Sequence, residues 1–267
     1  MSAAPTLRFE RTLLRGGVRH LAACDEVGRG ALCGPVTIGV VVISEETRTA
    51  PQGVRDSKLL TPEARQRLVP RIQRWAACWA VGHATPAEID ELGIIAALRL
   101  AGHRALGQLS LAPDQVLLDG NHDYLTPPPP VPETAEAPLF ELVEGAAEAP
   151  PPGPLVEVPP VVTRIKADLT CAAVAAASIL AKTARDALMV ELDGEHPEYG
   201  WLENKGYSAP AHIDALARFG PTVHHRRSWS LPGLAARLES DLPVVPDAAD
   251  RAARVSVPVE ISVEETA

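Results

Sequence analysis

No two of the four cysteines form a Cys-x-x-Cys pair: Cys24, Cys33, Cys78 and Cys171 are scattered in apolar company. That spacing argues against zinc and against a disulfide framework, so the thiols read as small buried residues kept reduced. No uninterrupted apolar run is long enough to cross a membrane. The opening MSAAPTLRFERTLLRGG mixes acids and bases without the apolar stretch of a secretory signal. These absences predict a soluble cytoplasmic protein. No internal repeat is present.

An excess of positive charge is also missing. The formal net charge is -9, from 25 Lys and Arg against 34 Asp and Glu, whereas a protein that handles nucleic acid needs a basic surface to replace phosphate counterions. The distribution of charge removes the difficulty. Residues 127–160 hold six Glu and no Lys or Arg, and residues 241–267 hold six acids against two Arg. Without these two segments the remainder stands at about +1 and is not hostile to phosphate.

At 267 residues and 46% hydrophobic, the chain can bury one good core. A first strand is expected over His20–Cys24. A second over Val36–Ile43, apolar at nearly every position, predicts burial on both faces. Thr61, Pro62 and Glu63 give a helix start, followed by Leu68, Ile72 and Trp75 at helical spacing. Cys78–His83 reads as a strand, Pro86–Leu109 as a long helix or a helix pair, and Gln115–Leu118 as a short strand ending at Asp119. VVTRIKAD from Val161 is a further strand candidate. An alanine-rich helix covers Cys171–Leu192, and another begins after Ser208 and runs to Arg218. The domain scheme is an arm at 1–19, one folded domain at 20–240 and a disordered tail at 241–267. A flexible acidic, proline-rich insert at 127–160 interrupts the domain. Strands first, then alternation with helices, predict an α/β fold with a mixed β-sheet flanked by helices.

The run LAACDEVGRGALCGPV carries the first chemical signal. Asp25 and Glu26 are adjacent acids at the end of an apolar strand, costly unless a cation neutralises them. Gly28, Arg29 and Gly30 follow, and a Gly-x-Gly lets backbone N–H groups approach a ligand. A charged strand end before an ordinary turn is the plainer alternative. Asp119 stands at a strand end where α/β active sites lie, yet Asp-Gly is equally a common turn. Asp168 could be a third such acid or a helix cap. That all four acids close apolar strands favours a shared site, and four oxygen ligands without His or Cys suit Mg²⁺ or Mn²⁺. Two such ions would suit phosphodiester hydrolysis.

Candidate phosphate contacts are Arg29, Lys58, Lys166, Lys182 and the run His224–Arg227. Lys182 suits a solvated helix face as well as a substrate contact, and His224–Arg227 suits structural ion pairing as well as phosphate binding. Tyr207, just before a helix start, suits either a hydrophobic staple or a ring that stacks on a sugar or base.

Six blocks occur in one order: DEVGRG with a following GPV, DSKLL from Asp56, LLDGN around Asp119, KAD before AAASILAKTARD, GYSAPAH, and HHRRS. Together they resemble ribonuclease HII, the bacterial type 2 ribonuclease H, from His20 to Leu231. The resemblance implies a ribonuclease H-like fold with a small C-terminal helical portion. It implies hydrolysis of the RNA strand of RNA·DNA hybrids and nicking 5′ of single ribonucleotides in duplex DNA, leaving 3′-hydroxyl and 5′-phosphate ends. By the same resemblance Asp25, Glu26, Asp119 and Asp168 are the metal-binding catalytic carboxylates, and Gly28, Arg29 and Gly30 contact the 2′-hydroxyl that separates RNA from DNA. Tyr207 lies on the deoxyribose beside the ribonucleotide. A monomer is expected.

Two rivals were weighed. The ribonuclease HIII class carries an extra N-terminal domain, for which about twenty residues before the first strand are expected to be too few. A non-catalytic hybrid-binding protein would be expected to have lost some of the four acids. The chain departs from the family pattern at Ala167, where glycine is usual, and in the insert between the third and fourth acids.

Overall fold

The computed structural model describes residues 4–128 and 156–234. Five strands form one mixed sheet in the order β3-β2-β1-β4-β5, with β1 at Leu21–Val27, β2 at Val36–Ile43, β3 at Cys78–Ala84, β4 at Gln115–Asp119 and β5 at Val161–Arg164. β2 pairs antiparallel with both β1 and β3, whereas β1–β4 and β4–β5 are parallel. All eight residues of β2 are buried, as its unbroken apolar run predicts.

The described residues include seven α-helices, of which the last two lie in a second core beside the sheet: α1 (Arg8–Arg15), α2 (Pro62–Trp75), α3 (Pro86–Leu106), α4 (Ala167–Thr170), α5 (Ala172–Glu195), α6 (Trp201–Asn204) and α7 (Pro210–Phe219). The odd-numbered side chains Leu21 and Ala23 of β1 pack with α5 and α2, and the even-numbered Ala22 and Cys24 pack with α3 on the other face. Thr61 Oγ1 accepts from Ala64 N at 3.3 Å and caps α2. Thr85 and Glu88 form a reciprocal capping box on α3. The long helix expected from Pro86 is a pair, broken at Gly93 with φ 77° and ψ 162°.

Several expectations need correction. The arm at 1–19 is partly folded: α1 buries Leu14 and Glu10, and Glu10 Oε1 accepts from Ala173 N at 2.9 Å, satisfying a free N–H in the first turn of α5. β1 runs on to Val27, so Asp25 and Glu26 lie within the strand rather than after it. β5 stops at Arg164, and Asp168 sits in the first turn of α4, not at a strand end. Part of the insert belongs to the domain, because Val156 and Val158 pack against the α3 core. Residues 129–155 and the tail at 241–267 lie outside the described residues. All four cysteines are free and buried, and no helix among the described residues is long and apolar enough to cross a membrane.

The close packing of α5 on the sheet depends on Gly39, which lies opposite Asp25 in the β1–β2 register. A Cβ there would stand 2.3 Å from the carbonyl oxygen of Ala177. Gly39→Ala is therefore expected to lower stability by about 1–3 kcal/mol through forced separation of helix and strand, read as a reduced midpoint in urea.

A second core joins α6, α7 and the loop after them. Trp201, Tyr199, His212 and His225 are buried there. Hydrogen bonding assigns both imidazoles as neutral. His212 Nδ1 donates to the Tyr207 carbonyl (2.9 Å), leaving Nε2 to accept from Trp201 Nε1 (3.2 Å) and His225 Nε2 (3.1 Å). His225 Nδ1 in turn accepts from Thr222 N at 3.0 Å. Burial, followed by His212, His224, His196 and Arg227, pushes the His225 pKa down to about 3. A folded-state value below the unfolded ~6.5 means that the unfolded chain takes up the proton first, so this stability is whole above about pH 6.5 and drains as pH falls toward 3. His225→Asn should flatten the fall in urea midpoint between pH 7 and pH 4 relative to the parent. Equal slopes in the two proteins would refute the assignment.

Candidate active site

Parallel pairing of β1 with β4 puts the C-terminal ends of the two strands side by side. The register runs to Cys24 opposite Leu118, and the next residues are Asp25 and Asp119. β5 pairs Arg164 with Asp119, and the chain then turns through Lys166 in the left-handed region (φ 57°, ψ 40°) into α4. Asp119 Oδ1 accepts from Ala167 N at 2.6 Å. The third acid thereby fixes the turn that carries the fourth, and Ala167, at a position usually glycine, is fully buried there without displacing Asp168 from the group.

The four acids interact. Asp25 is 6% exposed and its pKa is raised well above the ordinary carboxylate value, first by burial and then by Glu26, Asp119 and Asp168, against a hydrogen bond from Ser178. Asp168 is raised by burial, Asp119 and Asp56. Glu26 is raised by burial and by Asp119, against Arg29 and Tyr124. Strand alternation turns Asp25 and Glu26 to opposite faces. Asp25 meets Ser178 on α5, and Ser178 Oγ shares a 2.9 Å hydrogen bond with Ser57. Glu26 accepts from the buried Tyr124 hydroxyl at 3.2 Å and lies 3.7 Å from Arg29. No three of the quartet's oxygens draw within 4.8 Å of one another, a spread wider than a single-ion cage.

Among the described residues, no Lys or Arg forms an ion pair with Asp25, Asp119 or Asp168. The nearest compensating charge is Lys58. Burial alone would lower its pKa, but Asp56, Asp25, Asp168 and Asp119 together raise it. Lys58 and the Glu26-paired Arg29 against five carboxylates still leave a net negative pocket whose candidate ligands are all oxygen. That donor set fits hard divalent cations and would bind them through Asp25, Glu26, Asp119 and Asp168.

The glycine-framed loop is held from beneath by two buried guanidiniums. Arg226 donates to the carbonyls of Gly28 (2.6 Å), Arg29 (2.8 Å) and Gly34 (3.2 Å). Arg185 donates to those of Pro35, Lys205 and Cys33 at 2.8, 2.9 and 3.0 Å. Gly28 has φ +87°, and a Cβ on it would meet Arg185 Nε at 2.1 Å, so this position requires glycine. Gly30 faces open space and Arg29 is exposed. The run His224–Arg227 is thus corrected in part: Arg226 is a fully buried carbonyl clamp, and the backbone N–H of exposed Arg227 is held by Asp90 at 2.9 Å.

Tyr207 lies two residues before the α7 N-cap Ala209, and its ring is not a staple. It is 37% exposed, with Arg185 over it at 5.3 Å and Lys182 at 5.8 Å. Lys182 is half-buried rather than on a solvated face, and it donates to Asp186 Oδ1 at 2.6 Å. Asp186 also accepts from the buried Arg65 at 3.0 Å. Lys166 is exposed at its turn. Sequence reasoning did not single out Asp56, Ser57, Ser178, Tyr124, Arg185 or Asp186 for this neighbourhood. Of these, Asp56 and Ser57 lie in the DSKLL block and Ser178, Arg185 and Asp186 in AAASILAKTARD, so the blocks carried a signal for all but Tyr124.

The ribonuclease HII family model matches residues 22–231. The ribonuclease HII of Streptomyces coelicolor is 43% identical over 227 residues, which are 85% of this chain and 84% of that one. The crystal structure of the ribonuclease H2 from Pyrococcus horikoshii OT3 superposes with a TM-score of 0.58 at 27% identity, over 82% of this chain and 98% of that one. The RNase HII in a PCNA complex from Archaeoglobus fulgidus gives 0.56 at 27% identity, over 79% and 95%. With its ribonuclease H-like sheet and its acids gathered from β1, β4 and α4, this chain belongs to the ribonuclease HII family and is a nuclease of the hydrolase class.

Proposed function

We propose that the protein is an endoribonuclease that cuts the RNA strand of RNA·DNA hybrids and nicks duplex DNA 5′ of single embedded ribonucleotides. The observation that carries this reading is the mutual interaction of Asp25 near the end of β1, Asp119 at the end of β4 and Asp168 in the first turn of α4, with no Arg or Lys paired to any of them among the described residues. When bound, two Mg²⁺ or Mn²⁺ ions would supply an activated water and stabilise the leaving oxygen, giving 3′-hydroxyl and 5′-phosphate ends.

The remaining work falls to the chain itself. Arg226 and Arg185 occupy the carbonyls of the glycine-framed loop, which leaves the N–H groups at Arg29 and Gly30 free to meet a ribose 2′-hydroxyl. Arg29 and Lys58, both exposed beside the acids, attract the phosphates flanking the cut. Lys182 is committed to Asp186, so it supports the Tyr207 ring more than it offers a phosphate contact of its own. Tyr207 presents an exposed aromatic face to a sugar next to the ribonucleotide. Ser178 orients Asp25.

The domain at 20–240 carries all these groups on one chain, so it acts as a monomer. Four free buried thiols agree with a reducing cytoplasm. A non-catalytic hybrid-binding protein is disfavoured, since it would have no use for four mutually repelling acids.

The decisive measurement is incubation with a duplex bearing one ribonucleotide, and with an RNA·DNA hybrid, in Mg²⁺ or Mn²⁺. A nick at the ribonucleotide's 5′ side supports the proposal, and intact strands in both metals refute it. Asp25→Asn should reduce cutting at least about a hundredfold, yet raise the unfolding temperature of the metal-free protein, because it removes a buried charge from a repelling group. A variant that loses both activity and stability would contradict that electrostatic account. Tyr207→Ala should weaken nicking at single ribonucleotides by about tenfold, from ~1–3 kcal/mol of lost stacking, and spare continuous hybrids more. Equal losses on both substrates would remove the ring from the junction.

A further inference from the structure

We propose that Glu195, His196 and His224 form a second metal site, chemically distinct from the acid quartet, that takes a borderline transition ion such as Zn²⁺ or Ni²⁺. One ligand atom from each of the three lies within 4.8 Å of the others, and His224 Nε2 is 3.9 Å from Glu195 Oε2. A tetrahedral ion with bonds of ~2.0–2.1 Å holds its ligand atoms about 3.3–3.5 Å apart. The ligand atoms therefore need to close by about half an ångström between His224 and Glu195 and by no more than ~1.5 Å for any pair, and the exposed Glu195 side chain is free to make that movement.

Several features preorganise the group. Both imidazoles stand edge-on to the fully buried Trp201 ring, His196 at 5.7 Å and His224 at 6.0 Å between centroids, and the two rings meet each other at 5.8 Å. Glu198 Oε1 lies 3.2 Å from His196 Nδ1, the contact by which a carboxylate orients a ligating imidazole. Glu195 is the last residue of α5 and His196 its C-cap, where the negative end of a 24-residue helix favours a cation. Two nitrogens and one oxygen suit Zn²⁺, Ni²⁺ or Cu²⁺, whereas the oxygen-only quartet suits Mg²⁺ or Mn²⁺.

The site would tie the end of α5 to the loop beneath the active site. The His224 carbonyl accepts from Gly34 N at 2.8 Å, and Arg226, two residues on, clamps Gly28, Arg29 and Gly34. An ion held by His224 braces that anchor from the far side, outside the catalytic pocket.

The test uses the full chain in excess Mg²⁺, with added ZnCl₂ read by unfolding temperature, and with Co²⁺ read by visible absorption of a tetrahedral site. The parent and a quartet-disabled Asp25→Asn, Asp119→Asn protein should both gain unfolding temperature with Zn²⁺ and both show the Co²⁺ bands. His196→Ala and His224→Ala should each weaken the response at least about tenfold. Glu195→Gln, at an exposed position that tolerates change, gives the same readout should either histidine variant fail to fold. A Zn²⁺ response that survives all three substitutions, or that disappears with the quartet, overturns the proposal, as does a parent that does not respond.

Discussion

Mutual repulsion among buried carboxylates is the constraint around which this fold is arranged. Each of Asp25, Glu26 and Asp168 is held where burial and its neighbours oppose its charge. Left to themselves, such groups would separate or take up protons. They stay together because each is carried on backbone that cannot relax: Asp25 within a strand paired on both sides, Asp119 at the end of another, and Asp168 on a short helix whose first free N–H is bound by Asp119 itself. Folding energy stored in the sheet and in α5 thus holds a cation-binding pocket open in advance.

The positive charge nearest the substrate path is used in two different ways. Arg185 and Arg226 are fully buried and spend their donors on backbone carbonyls rather than on carboxylates. A guanidinium has five donors in a rigid plane, so one side chain can fasten three carbonyls of an irregular loop that no strand partner could reach. Lys would offer a single flexible centre in the same space. Arg29 and Lys58 are instead exposed and face the acids, so their charge is available to an incoming phosphate backbone. This division explains how a chain of net charge -9 serves a polyanionic substrate: a few cations placed at the cleft matter more than the sum over the surface.

Much of this was legible in the sequence. The unbroken apolar run of β2, the cap at Thr61 and the strand before Asp119 all follow from local pattern, and the structure has them. What period and propensity could not give was direction. Asp25 and Glu26 read as a pair, but strand alternation sends one toward α5 and the other toward Tyr124. Asp168 reads as a strand end because VVTRIKAD is apolar enough to continue, yet Lys166 adopts a left-handed turn that no local signal marks. The run His224–Arg227 suits phosphate binding or ion pairing alike, and only long-range packing distinguishes the buried Arg226 from the exposed Arg227. Ser178, in the middle of an alanine-rich helix, lies within AAASILAKTARD but shows no chemical role from local pattern. Its role comes from a contact with Ser57, 121 positions away.

The acidic insert between the third and fourth acids shows why the site tolerates so much added chain. Its two flanks are fastened to the same helix. On one side Leu125 is buried against Gly102 of α3, and its carbonyl is 2.9 Å from His103 Nε2. On the other, Val156 packs 3.2 Å from the space a Cβ on Gly107, the α3 C-cap, would occupy. Beyond that point Pro160 accepts from Val116 N at 3.0 Å and sets the start of β5. With both flanks held on α3, Asp119 and Asp168 take their positions from β4, β5 and α4.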